Sequence, residues 1–281
     1  VWTKGLGAVQ NRCDSGGRDM YQEAKLHYEE QGFCFSPIIY DEESIARAVK
    51  HQDLVISGHY ETGVAPRSPF DSAEATRGEI VKVDSSHRAD LTIREFVSNS
   101  NLGKWAAAIT GAQAVQIWAV QLLVKPGLGA DESKVGWHQD RNYWGPWEED
   151  SELFTAWVPL TDVQEDCGPM VYISGSHKWG FLNQGNFFDT THGSFQDTVQ
   201  IPDDSDFAAI PVLLNAGQVA FHHKLTFHGS HPNTSGRPRR SFAIHLRTEK
   251  SWPKKDEQSV YTADLAEYDM NPVICGTELP L

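Results

Sequence analysis

The chain has 281 residues, and its content of 40 % hydrophobic and 11 % aromatic residues is enough to bury a sizeable core. Its formal net charge of -14 argues against nucleic acid or an anionic membrane surface as a partner, because both carry charge of the same sign. No apolar run approaches the roughly eighteen residues that a transmembrane helix needs, so we predict no membrane span.

The cysteines indicate a reducing compartment. The four of them lie far apart and form no C-x-x-C pair, which is typical of free thiols in a cytosolic protein rather than of a disulfide framework. They are Cys13, Cys34, Cys167 and Cys275. No signal peptide opens the chain at Val1, so we expect a cytoplasmic protein, although a targeting segment already removed would leave no trace.

The first third of the chain carries the period of amphipathic helices. Residues 19–33 predict one helix, which ends at Gly32. A second helix is expected from Asp41, where acidic residues interact favourably with the positive end of the helix dipole. Residues 89–110 predict one or two more. The expected capping residues of these last helices are Asp90 and Ser100.

From Ala114 onward, short β-rich runs replace the helical pattern. The longest, Val115 to Val124, stops at Pro126-Gly127. Further runs cover residues 154–163, 169–173, 210–214, 218–222 and 241–247. Helices followed by many short strands predict a mainly β fold with flanking helices. We expect a single domain over residues 1–281. Its parts are a helical segment at about 15–112, a core at about 114–248 and a tail at 249–281.

The triplet His138-Gln139-Asp140 is the first sign of chemistry. In an extended segment the side chains alternate, so His138 and Asp140 point to one side and Gln139 to the other. Two imidazoles and one carboxylate form the set that holds Fe(II) while leaving positions open. The third ligand has to come from a later part of the chain. The candidates there are His222, His223, His228, His231 and His245.

The segment around one of these histidines is more specific. It reads Thr226-Phe227-His228-Gly229-Ser230-His231-Pro232-Asn233-Thr234-Ser235, and Arg237-Pro238-Arg239 follows. Upstream lie Asp166-Cys167-Gly168-Pro169 and Ser174-Gly175-Ser176-His177. With these motifs, the opening at Tyr28 to Phe33 and the run Phe154 to Trp157, the sequence over about residues 20–247 resembles the phytanoyl-CoA dioxygenase family of Fe(II)/2-oxoglutarate oxygenases. That family usually has a proline at the position of Ser174.

The resemblance implies a double-stranded β-helix core, that is, a cupin-like jelly-roll, with the N-terminal helices packed on one sheet. It implies that His138, Asp140 and His228 bind the iron. It also places the arginine for the remote carboxylate of 2-oxoglutarate at Arg239, eleven residues after His228. A planar guanidinium suits that carboxylate because it donates two parallel hydrogen bonds.

Further contacts to the cosubstrate are expected from Gln121, Trp157 and Ser241. Ser241 lies two residues after Arg239 and so on the same face of its strand, whereas Trp157 serves equally well as a core residue. The neighbouring Arg240 points the other way and is expected to be a surface charge. Residues 125–137 and 141–147 and the long insert 179–209 are predicted to frame the mouth of the site, where the insert selects the substrate.

By resemblance, the chain is a 2-oxoglutarate-dependent dioxygenase that uses O₂ and releases succinate and CO₂. It oxidises, and most simply hydroxylates, a C–H bond of a small metabolite or natural-product intermediate. Halogenating relatives have a small residue in place of Asp140, so hydroxylation, desaturation or ring closure is expected. A coenzyme A thioester is disfavoured because the sequence offers no basic cluster for its phosphates. We expect a monomer or homodimer, and the sequence leaves the substrate and stereochemistry open.

Two other classes stay open. A non-catalytic jelly-roll would keep the fold and bind a ligand without turnover, but it has no need of an open iron site. A cupin-type metal enzyme would work without a 2-oxo acid, and then the position of Arg239 has no purpose. Binding of 2-oxoglutarate discriminates between these alternatives and the favoured function.

Overall fold

The computed structural model describes residues 16–70, 78–189, 191, 193–203, 205–257, 259–277 and 279. Six α-helices lie within these ranges. They are α1 (Gly16–Gln31), α2 (Glu42–Ile56), α3 (Ser86–Ala89), α4 (Leu91–Val97), α5 (Ser100–Thr110) and α6 (Phe195–Thr198). None of these helices is both long enough and apolar enough to cross a membrane.

Eleven strands follow or interleave with the helices in the same ranges. They are β1 (Phe33–Phe35), β2 (Val81–Asp84), β3 (Val115–Lys125), β4 (Val135–His138), β5 (Leu153–Pro159), β6 (Met170–Ile173), β7 (Ala209–Pro211), β8 (Ala220–His223), β9 (His228–Ser230), β10 (Arg239–Thr248) and β11 (Val273–Cys275).

The strands form two antiparallel sheets. The larger has the order β1-β8-β5-β10-β3-β11, and β2 pairs with the same edge of β3 as β11 but farther along it. The smaller sheet has the order β4-β9-β6-β7. Chain neighbours are often not sheet neighbours, so the strands wind back and forth between the sheets as in a jelly-roll.

The helices cover the outer face of the larger sheet. Buried side chains of α4 and α5, such as Phe96 and Trp105, share one hydrophobic cluster with the outward side chains of β10, such as Phe242 and Ile244. The inner face packs in a separate cluster with residues of the smaller sheet, including Tyr172. The predicted fold class, a jelly-roll with helices on one sheet, is therefore confirmed.

Helix ends follow the local chemistry with one exception. Gly32 has φ 83, a left-handed conformation that glycine adopts without strain, and it directly follows α1 as predicted. Asp41 caps α2 by accepting a hydrogen bond from the backbone N–H of Ser44, and Asp90 caps α4 through Ile93. The expected cap at Ser100 is wrong: Asn99 takes that position because its side chain reaches two free N–H groups of α5.

Three strands of the larger sheet lie outside the predicted runs. β1 begins at Phe33, which was predicted to belong to the first helix, β2 comes from a segment that the sequence left unassigned, and β11 comes from the supposed tail. The cysteines within the described residues, Cys34, Cys167 and Cys275, are free thiols as expected, whereas Cys13 lies outside those residues.

Candidate active site

Strand pairing brings the three predicted iron ligands together. His138 ends β4 and His228 begins β9, and the two residues are direct partners in the antiparallel register. Their ring centroids are 4.1 Å apart. Asp140 follows in a single turn of 3₁₀-helix, which points its carboxylate back towards both imidazoles. Residues 90 positions apart in the chain thus meet because two short strands pair.

The ligand atoms converge on one point. Asp140 Oδ1 lies 3.7 Å from His138 Nε2 and 3.6 Å from His228 Nε2. All three residues are buried, and their ligand atoms lie within 4.8 Å of one another. Two imidazole nitrogens and one carboxylate oxygen on one side of an ion suit Fe(II) and leave its other positions open.

Hydrogen bonds fix the tautomers of both histidines. His138 Nδ1 donates to the carbonyl of Gly136 at 2.8 Å, and His228 Nδ1 donates to the carbonyl of Thr226 at 3.0 Å. The lone pair of each imidazole is therefore on Nε2, the atom that faces the carboxylate. Burial, together with the nearby histidines, holds the pKa of His228 well below its usual range, so this imidazole stays neutral and able to bind a metal.

A buried hydrogen-bond network supports the other carboxylate oxygen. Asp140 Oδ2 accepts from Thr155 Oγ1 at 2.7 Å and from His222 Nε2 at 3.1 Å. Since Nε2 of His222 donates, its Nδ1 accepts from the hydroxyl of Tyr172 at 2.9 Å. Thr155 Oγ1 in turn accepts from His245 Nδ1 at 2.9 Å. We call Thr155, His222, Tyr172 and His245 the Asp140 support network.

The network shapes the charge at the metal end. Burial alone would raise the pKa of Asp140, but the neighbouring imidazoles of His228, His138 and His222 hold that pKa well below its usual range. Burial lowers the pKa of His245 to about 4. The carboxylate is thus ionised and the supporting imidazole of His245 neutral at ordinary pH, as a divalent cation requires.

The sequence carries a partial signal of this network. His222 and His245 were candidates for the third metal ligand, but the structure places both of them behind Asp140 rather than in the triad. Thr155 and Tyr172 were missed. Thr155 pairs with His222 on one side and His245 on the other, so the three form a polar row across β8, β5 and β10. Only the strand order reveals that row.

A cavity of about 180 Å³ opens between the sheets beside the triad. Gln121, Trp157 and Arg239 line it. Arg239 is 5 % exposed, lies over the Trp157 ring with its Cζ 5.3 Å from the ring centroid, and donates from Nη1 to the carbonyl of Gly168 at 2.5 Å. Burial lowers its pKa to about 10, so the guanidinium stays protonated at neutral pH.

Several donors at this arginine end have no partner among the residues that the structure describes. Arg239 Nε, Trp157 Nε1 and Ser241 Oγ are buried and make no hydrogen bond within the described residues. A buried donor normally finds a partner, because leaving it unpaired costs about 1–3 kcal/mol. A carboxylate of 2-oxoglutarate would accept from Arg239, so the residues present fit this cosubstrate. Ser241 does not line the cavity, and its contact stays a prediction.

A β-bulge in β3 shapes the cavity wall at Trp118. His245 pairs with Ala119 and Leu246 with Ile117, so Trp118 is the extra residue of the bulge. Trp118 therefore packs in one cluster with Ala119, and both residues line the cavity. Trp118 then packs edge-on against Trp144, with ring centroids 5.1 Å apart and an interplanar angle of 87°.

The long insert reaches the mouth of the cavity as predicted. Gly185 has φ 76, and an added Cβ there would lie 1.9 Å from the carbonyl oxygen of Trp137, so only glycine allows this close approach. Gly136 contacts the insert in the same way. The result is that Phe187 lies against His138, with ring centroids 5.3 Å apart.

Gln139 and Arg240 both make structural contacts outside the cavity. Gln139 points away from the triad, and its amide bonds to Gly180 and Leu225 tie two loops together. Arg240 does face away from the cavity, but the expected surface charge is wrong: its guanidinium pairs with Asp53 on α2 at 2.7 Å and is only 17 % exposed. The helix layer provides this partner, which the local sequence does not show.

A second group of metal-type side chains, His51, Glu61 and Asp90, has a structural explanation. Asp90 caps α4 through Ile93, while Glu61 accepts from the backbone N–H of Leu91 and His51 bonds to Asp90 at 2.8 Å. All three serve the start of one helix.

Comparison with known proteins places the chain among oxygenases. The family model for phytanoyl-CoA dioxygenase (PhyH) matches residues 28–241. A probable α-ketoglutarate-dependent hypophosphite dioxygenase of Stutzerimonas stutzeri is 25 % identical over 83 % of this chain and 81 % of its own length. The human peroxisomal phytanoyl-CoA dioxygenase is 24 % identical over 80 % of this chain and 67 % of its own.

Solved structures show the same fold. The α-ketoglutarate-dependent carbocyclase SnoK of nogalamycin biosynthesis aligns with a TM-score of 0.64 and 21 % identity over 90 % of this chain and 95 % of its own. The epimerase SnoN of the same biosynthesis aligns with a TM-score of 0.64 and 18 % identity, over 86 % and 88 % of the two chains. The predicted family, enzyme class and cofactors, Fe(II) and 2-oxoglutarate, are confirmed at the level of the family.

Proposed function

We propose that this chain, which belongs to the phytanoyl-CoA dioxygenase family, hydroxylates a C–H bond of a small organic metabolite or natural-product intermediate and releases succinate and CO₂. The observation that carries the proposal is the shared cavity. The convergent His138, Asp140 and His228 lie at one end, and the unpaired donor of the buried Arg239 lies at another. An iron site and a carboxylate site within one small cavity are what a 2-oxo acid oxygenase needs.

In this proposal His138, Asp140 and His228 are the iron ligands. Bound iron supplies the reaction with O₂ and the 2-oxo acid, which is the chemistry that protein side chains cannot perform. The chain supplies orientation: the carbonyls of Gly136 and Thr226 hold the two imidazoles with Nε2 outward. The support network holds Asp140 with Oδ1 towards the imidazoles.

Arg239 binds the remote carboxylate of 2-oxoglutarate, and Gln121 and Trp157 contact the same molecule. The low exposure of Arg239 strengthens its hydrogen bonds, because water does not compete for them. Ser241, on the same face of β10, would add a hydroxyl donor after a small movement of its side chain.

The cavity is small, and its mouth is lined by aromatic side chains such as Tyr143 and Phe188, which favours a compact organic molecule. We further propose one cytoplasmic domain over residues 1–281, as a monomer or homodimer. We expect it to use neither nucleic acid nor a membrane as partner, which its charge of -14 supports.

The decisive experiment is an anaerobic titration of the purified protein with Fe(II) and then 2-oxoglutarate, followed by visible absorption. We expect the weak charge-transfer band of a 2-oxo acid chelate. We also expect Arg239→Ala to raise strongly the 2-oxoglutarate concentration needed for that band.

The matched control is Arg240→Ala, which removes the neighbouring guanidinium on the opposite face of β10. It should titrate like the wild type. Iron binding without the band would shift the function to a metal enzyme of another kind. Absence of iron binding would favour a ligand-binding jelly-roll.

A further inference from the structure

The carboxylate of Asp84 is a third polar group of the cavity, and neither the iron nor the cosubstrate assignment uses it. Asp84 ends β2 at the edge of the larger sheet, paired with Gln121 of β3. Asp84 also lines the cavity. Its side chain is only 13 % exposed, although Asp84 is neither one of the three predicted metal ligands nor the cap of the helix that follows it.

One oxygen of this carboxylate is without a hydrogen bond. Asp84 Oδ1 is buried and accepts none from the described residues. Lys82 Nζ lies 3.7 Å away, which makes an ion pair but is too far for a hydrogen bond. Lys82 instead lies over the rings of Phe187 and Phe188, at 5.4 Å and 5.8 Å from their centroids.

The walls next to Asp84 are aromatic. Trp118, placed on the cavity by the β-bulge, meets Trp144 and Tyr261 edge-on, with centroid distances of 5.1 Å and 6.2 Å. The Tyr261 hydroxyl lies near the carboxylate, and the pKa of Tyr261 is raised by burial and then by the charge of Asp84. Trp118 Nε1 is also buried without a partner within the described residues.

Asp84 shares its cavity with the reaction centre, because Asp84, His245 and Asp140 all line it. Thr155 joins His245 to Asp140, since its hydroxyl accepts from His245 Nδ1 and donates to Asp140 Oδ2. A molecule that reached Asp84 would therefore rest beside the metal end.

We propose that Asp84 orients the substrate, and that this substrate is a compact ring-bearing molecule with a hydroxyl or ammonium group that donates a hydrogen bond to Asp84 Oδ1. The ring packs against Trp118 and its aromatic neighbours, and the bond to Asp84 selects which C–H group faces the iron. Aromatic walls with one carboxylate suit either donor, because ammonium groups also interact favourably with aromatic faces. This inference rests on the proposed function.

The test uses four matched fragments: benzyl alcohol, benzylamine, toluene and benzoate. Each is titrated anaerobically into the protein loaded with Fe(II) and 2-oxoglutarate, and binding is measured from the change in the visible band. In the wild type we expect the alcohol and the amine to bind about tenfold or more tightly than toluene, since a hydrogen bond to a charged group contributes that much.

Variants separate the two donor types. Asp84→Leu should remove the advantage of both donors, while Asp84→Asn should remove that of benzylamine more than that of benzyl alcohol, since the amide keeps an acceptor but no charge. The control is Asp131→Asn, at a residue whose side chain is 74 % exposed, and it should bind all fragments like the wild type.

Equal affinities for the alcohol, the amine and toluene, no binding of either donor, or a preference for benzoate would overturn the inference. A preference for benzoate would mean that Lys82, and not Asp84, binds the polar group of the substrate. In each case an intact 2-oxoglutarate band in the wild type leaves the proposed function standing. Loss of that band in the wild type would contradict the proposed function itself.

Discussion

The metal end and the arginine end of the cavity differ in how far their polar groups are satisfied. Around Asp140, each member of the support network has a hydrogen-bond partner, and Oδ2 of the carboxylate accepts two bonds. At the arginine end, Arg239 Nε and Ser241 Oγ are buried without partners in the described part of the chain. Both regions lie on the inner face of the same sheet.

The difference teaches what each end is built for. An ion needs its ligands in place beforehand, so the protein completes every hydrogen bond behind them. A cosubstrate brings its own acceptors, so the donors that receive it stay unpaired until it binds. Asp84 Oδ1 is likewise buried without a hydrogen-bond partner among the described residues, but it is an acceptor rather than a donor.

Removing the ligand at the satisfied end should have the largest effect. We expect Asp140→Ala to reduce substrate-dependent succinate formation to background, because the iron loses its only carboxylate in the triad. Iron binding is measured in parallel. Asp131→Ala, at an exposed position, should keep wild-type activity. Full hydroxylation by Asp140→Ala would contradict the ligand assignment.

Arg239→Lys tests the unsatisfied end. We expect it to weaken 2-oxoglutarate binding by roughly 10- to 100-fold, because lysine keeps the charge but loses the two-pronged geometry and a charged hydrogen bond contributes about 1.5–3 kcal/mol. Iron affinity should not change. Arg240→Lys, on the outer face, is the matched control, and equal losses in both variants would show a general rather than a local effect.

Thr155→Val sharpens the contrast, because it breaks the support network without removing a ligand. We expect the free energy of unfolding to fall by about 1–3 kcal/mol and iron affinity to fall roughly tenfold or more, since one partner of Asp140 Oδ2 is lost and His245 Nδ1 is left unpaired. Urea unfolding and iron titration measure these effects. Thr155→Ser keeps the hydroxyl and should restore both values.

Acid should weaken the structure through buried neutral histidines. Burial lowers the pKa of His245 to about 4 and those of His87 and His223 to about 3, below the unfolded value of 6.5. The unfolded chain therefore binds protons first, and stability present above pH 6.5 is lost as the pH falls towards 4. Each group contributes about 1.4 kcal/mol per pH unit in that window. Between pH 7 and 5, the free energy of unfolding of His245→Gln should change less with pH than that of the wild type.

Ser241→Ala should have the smallest effect. Because its hydroxyl has no partner to lose among the described residues, we expect the free energy of unfolding to stay unchanged or to rise by up to about 1 kcal/mol. A clear loss of stability would show that the hydroxyl is satisfied in the free protein. Arg239 Nε would then be the one remaining unpaired donor of the two on which the comparison between the metal end and the arginine end rests.

Local sequence was a good guide wherever local chemistry decides structure. The end of α1 at Gly32 and the caps at Asp41 and Asp90 follow from backbone and side-chain preferences of a few neighbouring residues. The cap at Asn99 rather than Ser100 is an error of one position, since both residue types accept the same hydrogen bonds.

Long-range pairing was a harder problem. β11 joins the larger sheet from the supposed tail, and the β-bulge near His245 turns Trp118 into the cavity. Neither follows from period or propensity, because a strand shows its partner only through packing on both sides. The ion pair of Arg240 with Asp53 has the same cause.

The sequence by itself determined that the triplet His138-Gln139-Asp140 presents an imidazole and a carboxylate on one side, because side-chain alternation and ligand chemistry are local properties. The assignment of His228 and Arg239 came from the resemblance of a longer stretch of sequence to a known family. Only the tertiary structure decided that His222 and His245 join the hydrogen-bond network behind Asp140, and that Asp84 faces the cavity. Those roles depend on strand order and register, which the whole fold fixes by burying one face of each sheet.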